Sequence, residues 1–179
     1  IGDEDAVAKL FQTVASKCGK LDVLVNNAAI VPFVKWDELT FKEWRRVLRV
    51  NLDGLYLMCR AGSDLMRKNN YGRIVNFTTI VAPIALAGEA IYAASKAAVV
   101  TFTRILAFEL GQWGVTCNSY GATPIMTDMI RGVPQDKIDA VVNNLAVKRL
   151  GTHADCANVC DFFVSPSSDN ITGQVIYLG

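Results

Sequence analysis

A tyrosine and a lysine stand four residues apart in the run Tyr92-Ala93-Ala94-Ser95-Lys96. At that spacing, two side chains on a helix lie on the same face. An ammonium group beside a phenol stabilises the phenolate and lowers a tyrosine pKa from its ordinary value of about 10. The pair is therefore a candidate for exchanging a proton with a substrate hydroxyl or carbonyl. On most helices, however, such a pair is only part of a solvated face.

Two more polar residues stand upstream, at positions suited to the same chemistry. Thr79 lies thirteen residues before Tyr92, at the end of a predicted strand, where its hydroxyl can hydrogen-bond a substrate oxygen. The alternative is a turn threonine that bonds its own backbone. Asn51 falls inside a predicted helix, where it is either exposed or marks a local break whose freed carbonyl holds a water.

Helices and strands alternate along the chain, and their order determines where these residues meet. Helices are predicted over 3–18, from a Thr40 cap with Glu43 as its capping box toward Met66, from about Glu89 to Leu110, and near 135–147 and 154–164. Strands are predicted at Leu21–Val25, Arg73–Phe77, Val115–Asn118 and Gly173–Leu178, with a loop over 119–134. The alternation is typical of an α/β fold with a parallel sheet covered on both faces. Ligands of such sheets bind beyond the carboxyl ends of the strands, so the candidate residues converge on one edge.

The composition is that of a globular protein and excludes several classes of partner. The chain has 179 residues, 51% of them hydrophobic and 20% charged, which suits one domain with a sizeable core. Its net charge is +1 and no run of lysine or arginine occurs, so nothing favours nucleic acid or an anionic membrane surface. The longest apolar stretches are strand-length or broken by charges, and no membrane span is predicted.

The five cysteines are odd in number and form no CxxC motif, so a disulfide framework is not expected. Reduced thiols in a cytoplasmic protein are the favoured interpretation. Cys156 and Cys160 stand four apart, but His153 offers little as a further metal ligand and is predicted to be a surface or capping residue. No metal site is expected.

Taken together, these motifs resemble the classical branch of the short-chain dehydrogenase/reductase superfamily. Asn26-Asn27-Ala28-Ala29, Asn51, Thr79 and the Tyr92 to Lys96 run follow one another in that branch's order, with matching intervals of 24, 28, 13 and four residues from Asn27 onward. The tail Ile171 to Ile176 resembles the signature of its last strand. The resemblance covers nearly all of the chain and implies a doubly wound, Rossmann-like parallel sheet.

The resemblance implies four catalytic roles. Tyr92 is the general acid/base, and Lys96 holds the nicotinamide ribose and lowers the Tyr92 pKa. Thr79 orients the substrate where relatives usually carry serine. Asn51 seats a water in a proton relay to Lys96.

The cofactor implied by the resemblance is NAD or NADP. Asn27, Ala28 and Ala29 line its adenine-ribose side, Ala29 standing where glycine is usual. Gly121 and Thr123 match the segment that contacts the nicotinamide carboxamide, although the Pro-Gly pair of relatives is missing there. Tyr92 and Lys96 complete the cofactor-binding set.

No glycine-rich strand-to-helix turn precedes these motifs, and the chain opens in what resembles the helix after the family's third strand. Residues 1–179 are therefore predicted to form a single domain, the C-terminal catalytic portion of a Rossmann-type oxidoreductase that lacks its N-terminal strands. Nothing in the chain pairs with the far side of Leu21–Val25. We expect a fragment with only these residues to associate through that apolar edge or to bind dinucleotide poorly.

The sequence is compatible with three functions. The favoured one is an NAD(P)-dependent oxidoreductase that interconverts a secondary alcohol and a ketone by hydride transfer. A cofactor-free scaffold or pseudoenzyme that only oligomerises is the alternative, and a nucleotide-sugar epimerase or dehydratase is a third, which would usually need a further domain.

The substrate and the assembly are only partly predictable. The loops expected around the substrate are mostly apolar, which indicates a small-molecule alcohol or ketone with an apolar part, such as a keto-acyl chain, a steroid-like ring or a hydroxylated ring. Those loop residues are Ile80, Val81, Ile84, Leu86, Ile125, Met126 and Met129. Relatives usually form dimers or tetramers through the helix that carries Tyr92 and the long helix before it. Apolar residues on these helices permit a homodimer or homotetramer, such as Val99, Phe102, Ile105, Leu106 and Phe108.

Overall fold

Four parallel strands form one sheet in which spatial order follows chain order. The computed structural model describes residues 1–81 and 86–179. The strands are β1 (Val23–Asn26), β2 (Gly72–Thr79), β3 (Val115–Ala122) and β4 (Val175–Tyr177). In register, Asn26 lies opposite Asn76, and Thr79 lies opposite Ala122. The predicted α/β fold with a Rossmann-like parallel sheet is confirmed.

Helices cover both faces of this sheet. They are α1 (Glu4–Cys18), α2 (Phe41–Leu48), α3 (Gly54–Asn69), α4 (Ala90–Leu110), α5 (Gln135–Asn144) and α6 (His153–Val164). Neighbouring β2 residues show the two-sided cover: Ile74 and Val75 point to opposite faces, and both are fully buried. Ile74 packs with residues of α3 and α4, and Val75 packs with Phe163 of α6.

The long helix predicted after Thr40 is interrupted. Between α2 and α3, residues Arg49–Asp53 form a single π-helical turn. The Thr40 cap is confirmed, since its side chain accepts a hydrogen bond from the Glu43 backbone N–H at 3.2 Å. The reciprocal half of the predicted capping box is wrong, because the Glu43 carboxylate pairs with Arg46 instead.

The strand β3 is longer than predicted. Residues 119–122, expected in a loop, continue the strand because they pair on one side with β2 and on the other with β4. Ser119 and Tyr120 are fully buried there. A polar, glycine-containing segment thus becomes strand through tertiary pairing that its own composition does not indicate.

The outer side of β1 has no strand beside it among the described residues. Leu24 is buried against the helices, whereas Val23 and Val25 are 38% and 43% exposed. The predicted apolar edge is therefore present. Whether it causes association remains a prediction.

One helical stretch, Ala90–Trp113, is long and apolar enough to cross a membrane on length and composition alone. In this fold it packs along β2 and β3 and carries the buried Lys96. About a third of its apolar stretch is buried there, and the rest includes the exposed Ile105 and Phe108.

Candidate active site

The carboxyl ends of β1, β2 and β3 open into one cleft of about 1320 Å³. Most of the predicted site residues line it. They are Asn27, Ala28, Ala29, Thr79, Tyr92, Lys96 and Thr123. The convergence expected from the strand order is therefore observed, and it brings the Tyr–Lys pair, the threonine and the β1 loop to one place.

Tyr92 lies in the first turn of α4 and faces Thr79 at the end of β2. Burial raises the pKa of the Tyr92 phenol to about 12. The neighbouring Thr79 hydroxyl acts in the opposite direction and lowers the Tyr92 pKa, whereas the negative charge of Glu89 raises it further. The two hydroxyls are thus neighbours at the cleft, as the Thr79–Tyr92 hypothesis requires.

Lys96 lies one helical turn beyond Tyr92, and its amine is held by the sheet. Its Nζ donates a hydrogen bond to the Phe77 carbonyl at 2.6 Å and lies 6.0 Å from the Tyr92 ring centroid. Burial lowers the Lys96 pKa to about 8. The expected lowering of the Tyr92 pKa is not found in this arrangement, where burial dominates the Tyr92 pKa and Lys96 is not among the groups that shift it.

Two adjacent threonines, Thr78 and Thr79, end β2, and their hydroxyls have different hydrogen-bond partners. Thr79 Oγ1 accepts a hydrogen bond from the Val81 backbone N–H at 3.2 Å, so the turn-threonine interpretation also holds. Thr78 Oγ1 donates to the Lys96 carbonyl at 2.8 Å and anchors α4 against the strand. Sequence reasoning missed the role of Thr78, although its place beside Thr79 at the strand end was a usable signal.

Asn51 stands in the π-helical turn and is only 3% exposed, so its interpretation as an exposed helical residue is wrong and that of a local break is confirmed. Both polar atoms of the Asn51 side chain make hydrogen bonds. Oδ1 accepts from the Ile30 N–H at 2.9 Å, while Nδ2 donates to the Ile30 carbonyl at 3.0 Å and to Ser95 Oγ at 3.1 Å. Asn51 therefore lies behind the cleft and joins the loop after β1 to α4.

A second buried polar network fixes the ends of the strands. Asn26 Nδ2 donates to Asn76 Oδ1 at 2.9 Å, and Asn76 Nδ2 donates to Thr103 Oγ1 at 2.9 Å. These bonds tie β1 to β2 and β2 to α4. The first residue of the Asn26-Asn27 motif is thus structural, while the second faces the cleft.

Gly121 is not among the cleft-lining residues. It lies inside β3, where a Cβ atom would come within 2.6 Å of the Tyr177 ring and 3.0 Å of the Thr79 backbone. Close packing between strands accounts for this glycine. Its predicted contact with the carboxamide is not supported by its position, whereas Thr123, just beyond the strand, lines the cleft.

The rest of the lining is both apolar and charged. Val81, Leu86, Ile125 and Met129 line the cleft as predicted, Ile80 and Met126 do not, and Ile84 lies outside the described residues. Sequence reasoning missed the charged members of the lining, which are Lys35, Glu38, Glu89, Asp128 and Lys137.

Metal ligands are not assembled in the part of the chain that the structure describes, where no group of three or more histidine, cysteine or acidic side chains could hold an ion. All five cysteines are free thiols. Cys160 donates to the Tyr120 hydroxyl at 3.6 Å, which gives it a packing role. The chemistry available at the cleft is therefore that of hydroxyls, an amine and carboxylates.

Comparison with known proteins matches the whole chain. A family model described as enoyl-(acyl carrier protein) reductase matches residues 1–178. The 3-oxoacyl-[acyl-carrier-protein] reductase FabG of Vibrio harveyi is 33% identical over 178 residues, which are 99% of this chain and 73% of the relative. Acetoacetyl-CoA reductase of Cupriavidus necator is 34% identical, over 97% of this chain and 70% of the relative.

Among solved structures, a candidate gluconate dehydrogenase from Agrobacterium tumefaciens superposes with a TM-score of 0.93 at 29% sequence identity. The superposition covers 99% of this chain and 71% of that one. Sequence and structural comparisons thus agree on the fold and on the enzyme class, and the names of the similar proteins differ in substrate.

Proposed function

The chain belongs to the short-chain dehydrogenase/reductase superfamily, and on that premise we propose that it interconverts a secondary alcohol and a ketone with NAD or NADP, with Tyr92 as the general acid/base. One observation carries the proposal: the Tyr92 and Thr79 hydroxyls are neighbours at the cleft. An oxygen bound between two such hydroxyls is oriented and polarised at once.

In the reductive direction, the Tyr92 hydroxyl donates its proton to the substrate carbonyl oxygen while Thr79 donates a hydrogen bond to the same oxygen. A nicotinamide, when bound, supplies the hydride for the carbon. In the oxidative direction the Tyr92 phenolate takes the proton from the substrate hydroxyl. The backbone bond from Val81 fixes the Thr79 oxygen and leaves its proton free to point at the substrate.

The residues of the cleft fit a nicotinamide cofactor. Lys96 brings a buried ammonium with three donor hydrogens, and one of them is used by the Phe77 carbonyl, which leaves donors for ribose hydroxyls. Ala28 and Ala29 present small side chains after β1, where a flat ring can approach the backbone. Asn51 holds the Ile30 backbone and so positions this loop.

The alternative of a cofactor-free scaffold is not favoured. A scaffold does not need a buried lysine and a half-buried phenol beside a cleft, because burying polar groups costs stability. The named relatives are reductases.

Assembly as a homodimer or homotetramer in the cytoplasm is part of the proposal. An apolar face on α3 and α4, which we call the α3/α4 face, exposes Tyr56, Ile105 and Phe108. The lining of a groove on this face includes Phe102, Leu106 and Trp113. Exposed apolar side chains beside a groove that Arg60, Arg67 and Glu109 also line suit contact with a second copy. Val99, expected there, instead points into the core.

The direct test is turnover. The full-length protein is incubated with reduced NAD or NADP and simple ketones, and oxidation of the cofactor is followed by its absorbance. We expect ketone-dependent oxidation with at least one cofactor. Binding of either cofactor without turnover of any ketone or alcohol would contradict the proposal.

A further inference from the structure

Glu89 is a carboxylate at the cleft that the mechanism above does not use. It lines the cleft three residues before Tyr92 and is only 9% exposed. Within residues 1–81 and 86–179 its side chain has no hydrogen-bond partner and no ion pair, and burial raises the pKa of its carboxyl. A carboxylate that lines a cleft and has no partner within those residues is available to accept a hydrogen bond from a bound molecule.

Helix capping does not explain it. Glu89 occupies the N-cap position of α4, where an acidic group favours the helix dipole. The caps of this protein that work through side chains bond the backbone of the first turn, as Asp3 does to the Ala6 N–H at 2.8 Å. The Glu89 side chain makes no such bond. Its carboxylate is instead part of the cleft wall, on the side of Tyr92.

The charges that line the cleft restrict the kind of chemical group that the Glu89 carboxylate can bind. Three cationic residues line the cleft, Lys35, Lys96 and Lys137, and three anionic residues, Glu38, Glu89 and Asp128. A lining whose charges cancel gives no net attraction for a cationic substrate. The remaining partner for a buried carboxylate is a neutral hydrogen-bond donor, and a hydroxyl group provides one.

We propose that Glu89 accepts a hydrogen bond from a substrate hydroxyl next to the reacting carbonyl, so that the substrate class is a hydroxylated ketone or the corresponding polyol. This inference rests on the proposed function and specifies its substrate. A ketone flanked only by methylene groups leaves the carboxylate unpaired in the closed site. Sites built to bond a hydroxyl discriminate strongly against analogues that lack it, for this reason.

A carboxylate that bonds a substrate hydroxyl favours one of the two substrate types named among the similar proteins. The names 3-oxoacyl-[acyl-carrier-protein] reductase and acetoacetyl-CoA reductase describe thioester substrates, and gluconate dehydrogenase describes a polyhydroxylated one. Glu89 places this chain with the polyhydroxylated type. The apolar residues of the cleft then contact the carbon skeleton.

The test compares acetoin, an α-hydroxyketone, with butanone, which lacks the hydroxyl. The ratio of their kcat/KM values is measured for the full-length wild type, Glu89→Leu, Glu89→Gln and Glu4→Gln. Glu4 is an exposed acid in the first turn of α1, so Glu4→Gln is the matched control. We expect wild type to prefer acetoin and Glu89→Leu to lose at least about 10-fold of that ratio, or about 1.4 kcal/mol. Glu89→Gln keeps an acceptor oxygen and falls between them.

The possible results distinguish a failure of the proposed role of Glu89 from a failure of the proposed function. If Glu89→Leu and Glu89→Gln keep the wild-type ratio, or if wild type prefers butanone or an acetoacetyl thioester to acetoin, the role of Glu89 is refuted while hydride transfer stands. If wild type reduces none of the three with either cofactor, the substrate class is refuted, and the broader survey of ketones and alcohols decides whether the proposed function fails as well. A change in the ratio for Glu4→Gln equal to that for Glu89→Gln would also refute the site.

Discussion

The side-chain amide of Asn51 donates a hydrogen bond to the Ser95 hydroxyl at 3.1 Å, and that hydroxyl donates to the Tyr92 carbonyl at 2.7 Å. Ser95 is 1% exposed, so the chain of bonds is shielded from water. The π-helical turn is thereby connected to the helical turn that presents the acid/base. Ser95 is a positioning residue, since it acts through the Tyr92 backbone.

This connection predicts coupling between the two residues. Ser95→Ala should cost about 1 kcal/mol of stability and Asn51→Ala about 3 kcal/mol, because the second change also leaves the Ile30 backbone groups unpaired. The double variant should lose less than the sum, by about 0.5–1 kcal/mol. Urea denaturation of all four proteins measures the coupling, and strictly additive losses would show that the bond carries no energy.

Replacing the acid/base should abolish turnover without unfolding the protein. Tyr92→Phe keeps the ring and removes the proton, so kcat should fall by about 10²–10⁴-fold. Tyr71→Phe removes an equivalent hydroxyl from a ring that packs on Arg73 and is the matched control. Steady-state kinetics with any accepted ketone distinguishes them, and equal rates for the two variants would remove Tyr92 from the reaction.

The charge of Glu89 should be visible in the pH dependence of alcohol oxidation. The base in that direction is the Tyr92 phenolate, so the rate rises with pH as the phenol loses its proton. Glu89 raises the Tyr92 pKa, and Glu89→Gln removes that charge. The rising limb of the pH–rate profile should therefore move to lower pH in Glu89→Gln and stay in place in Glu4→Gln. Movement to higher pH would contradict the assignment.

Lys96 should make stability depend on pH in the alkaline range. Its pKa falls from 10.5 to about 8 on burial, so between those values the unfolded chain keeps a proton that the folded protein has released. Stability attributable to this group must then rise with pH across that window, by about 3 kcal/mol in all.

Lys96→Met removes this dependence. We expect it to be inactive, more stable than wild type at pH 7, and to lose that advantage as the pH approaches 10. Urea denaturation at both pH values tests the difference between the two proteins, in which the contributions of other titrating groups cancel. Parallel pH dependence of the two proteins would show that the folded protein does not depress the Lys96 pKa.

There are two candidate surfaces for self-association, the α3/α4 face and the edge of β1. A single charged substitution in each surface tests them separately. Phe108 of the α3/α4 face is 89% exposed, and Val25 is the more exposed valine of the β1 edge. Phe108→Glu should dissociate a dimer or tetramer, because a carboxylate cannot be buried unpaired at an interface. Val25→Lys should suppress concentration-dependent association through the sheet edge. Sedimentation at several protein concentrations distinguishes them, and unchanged mass in both variants would exclude both surfaces.

The features that could be predicted from sequence are those fixed by local pattern and topology. Apolar periodicity located α1, α4 and all four strands, because each element buries one or both faces in a regular way. Parallel strands then forced Thr79 and the β1 loop to the same edge as Tyr92.

What could not be predicted depends on contacts between distant segments. The Lys96 amine reaches the Phe77 carbonyl, nineteen residues earlier, and so stays away from the phenol that its spacing suggested as a partner. Gly121 is explained by Tyr177, a residue of another strand. Glu89 is buried because it stands at the start of α4, where the helix borders the cleft. An acidic residue at the start of a helix is common, so the sequence gives no sign of this burial.

The widened turn at Arg49–Asp53 has a consequence for insertions and deletions. A π-helical turn arises from one extra residue in a helix, so α3 is rotated by about 100° from the face that an uninterrupted continuation of α2 would present. Deleting any one of these five residues would restore regular helical geometry and turn Leu55 and Cys59 out of the core. This stretch should accept many side-chain exchanges at its exposed positions and no change in its length.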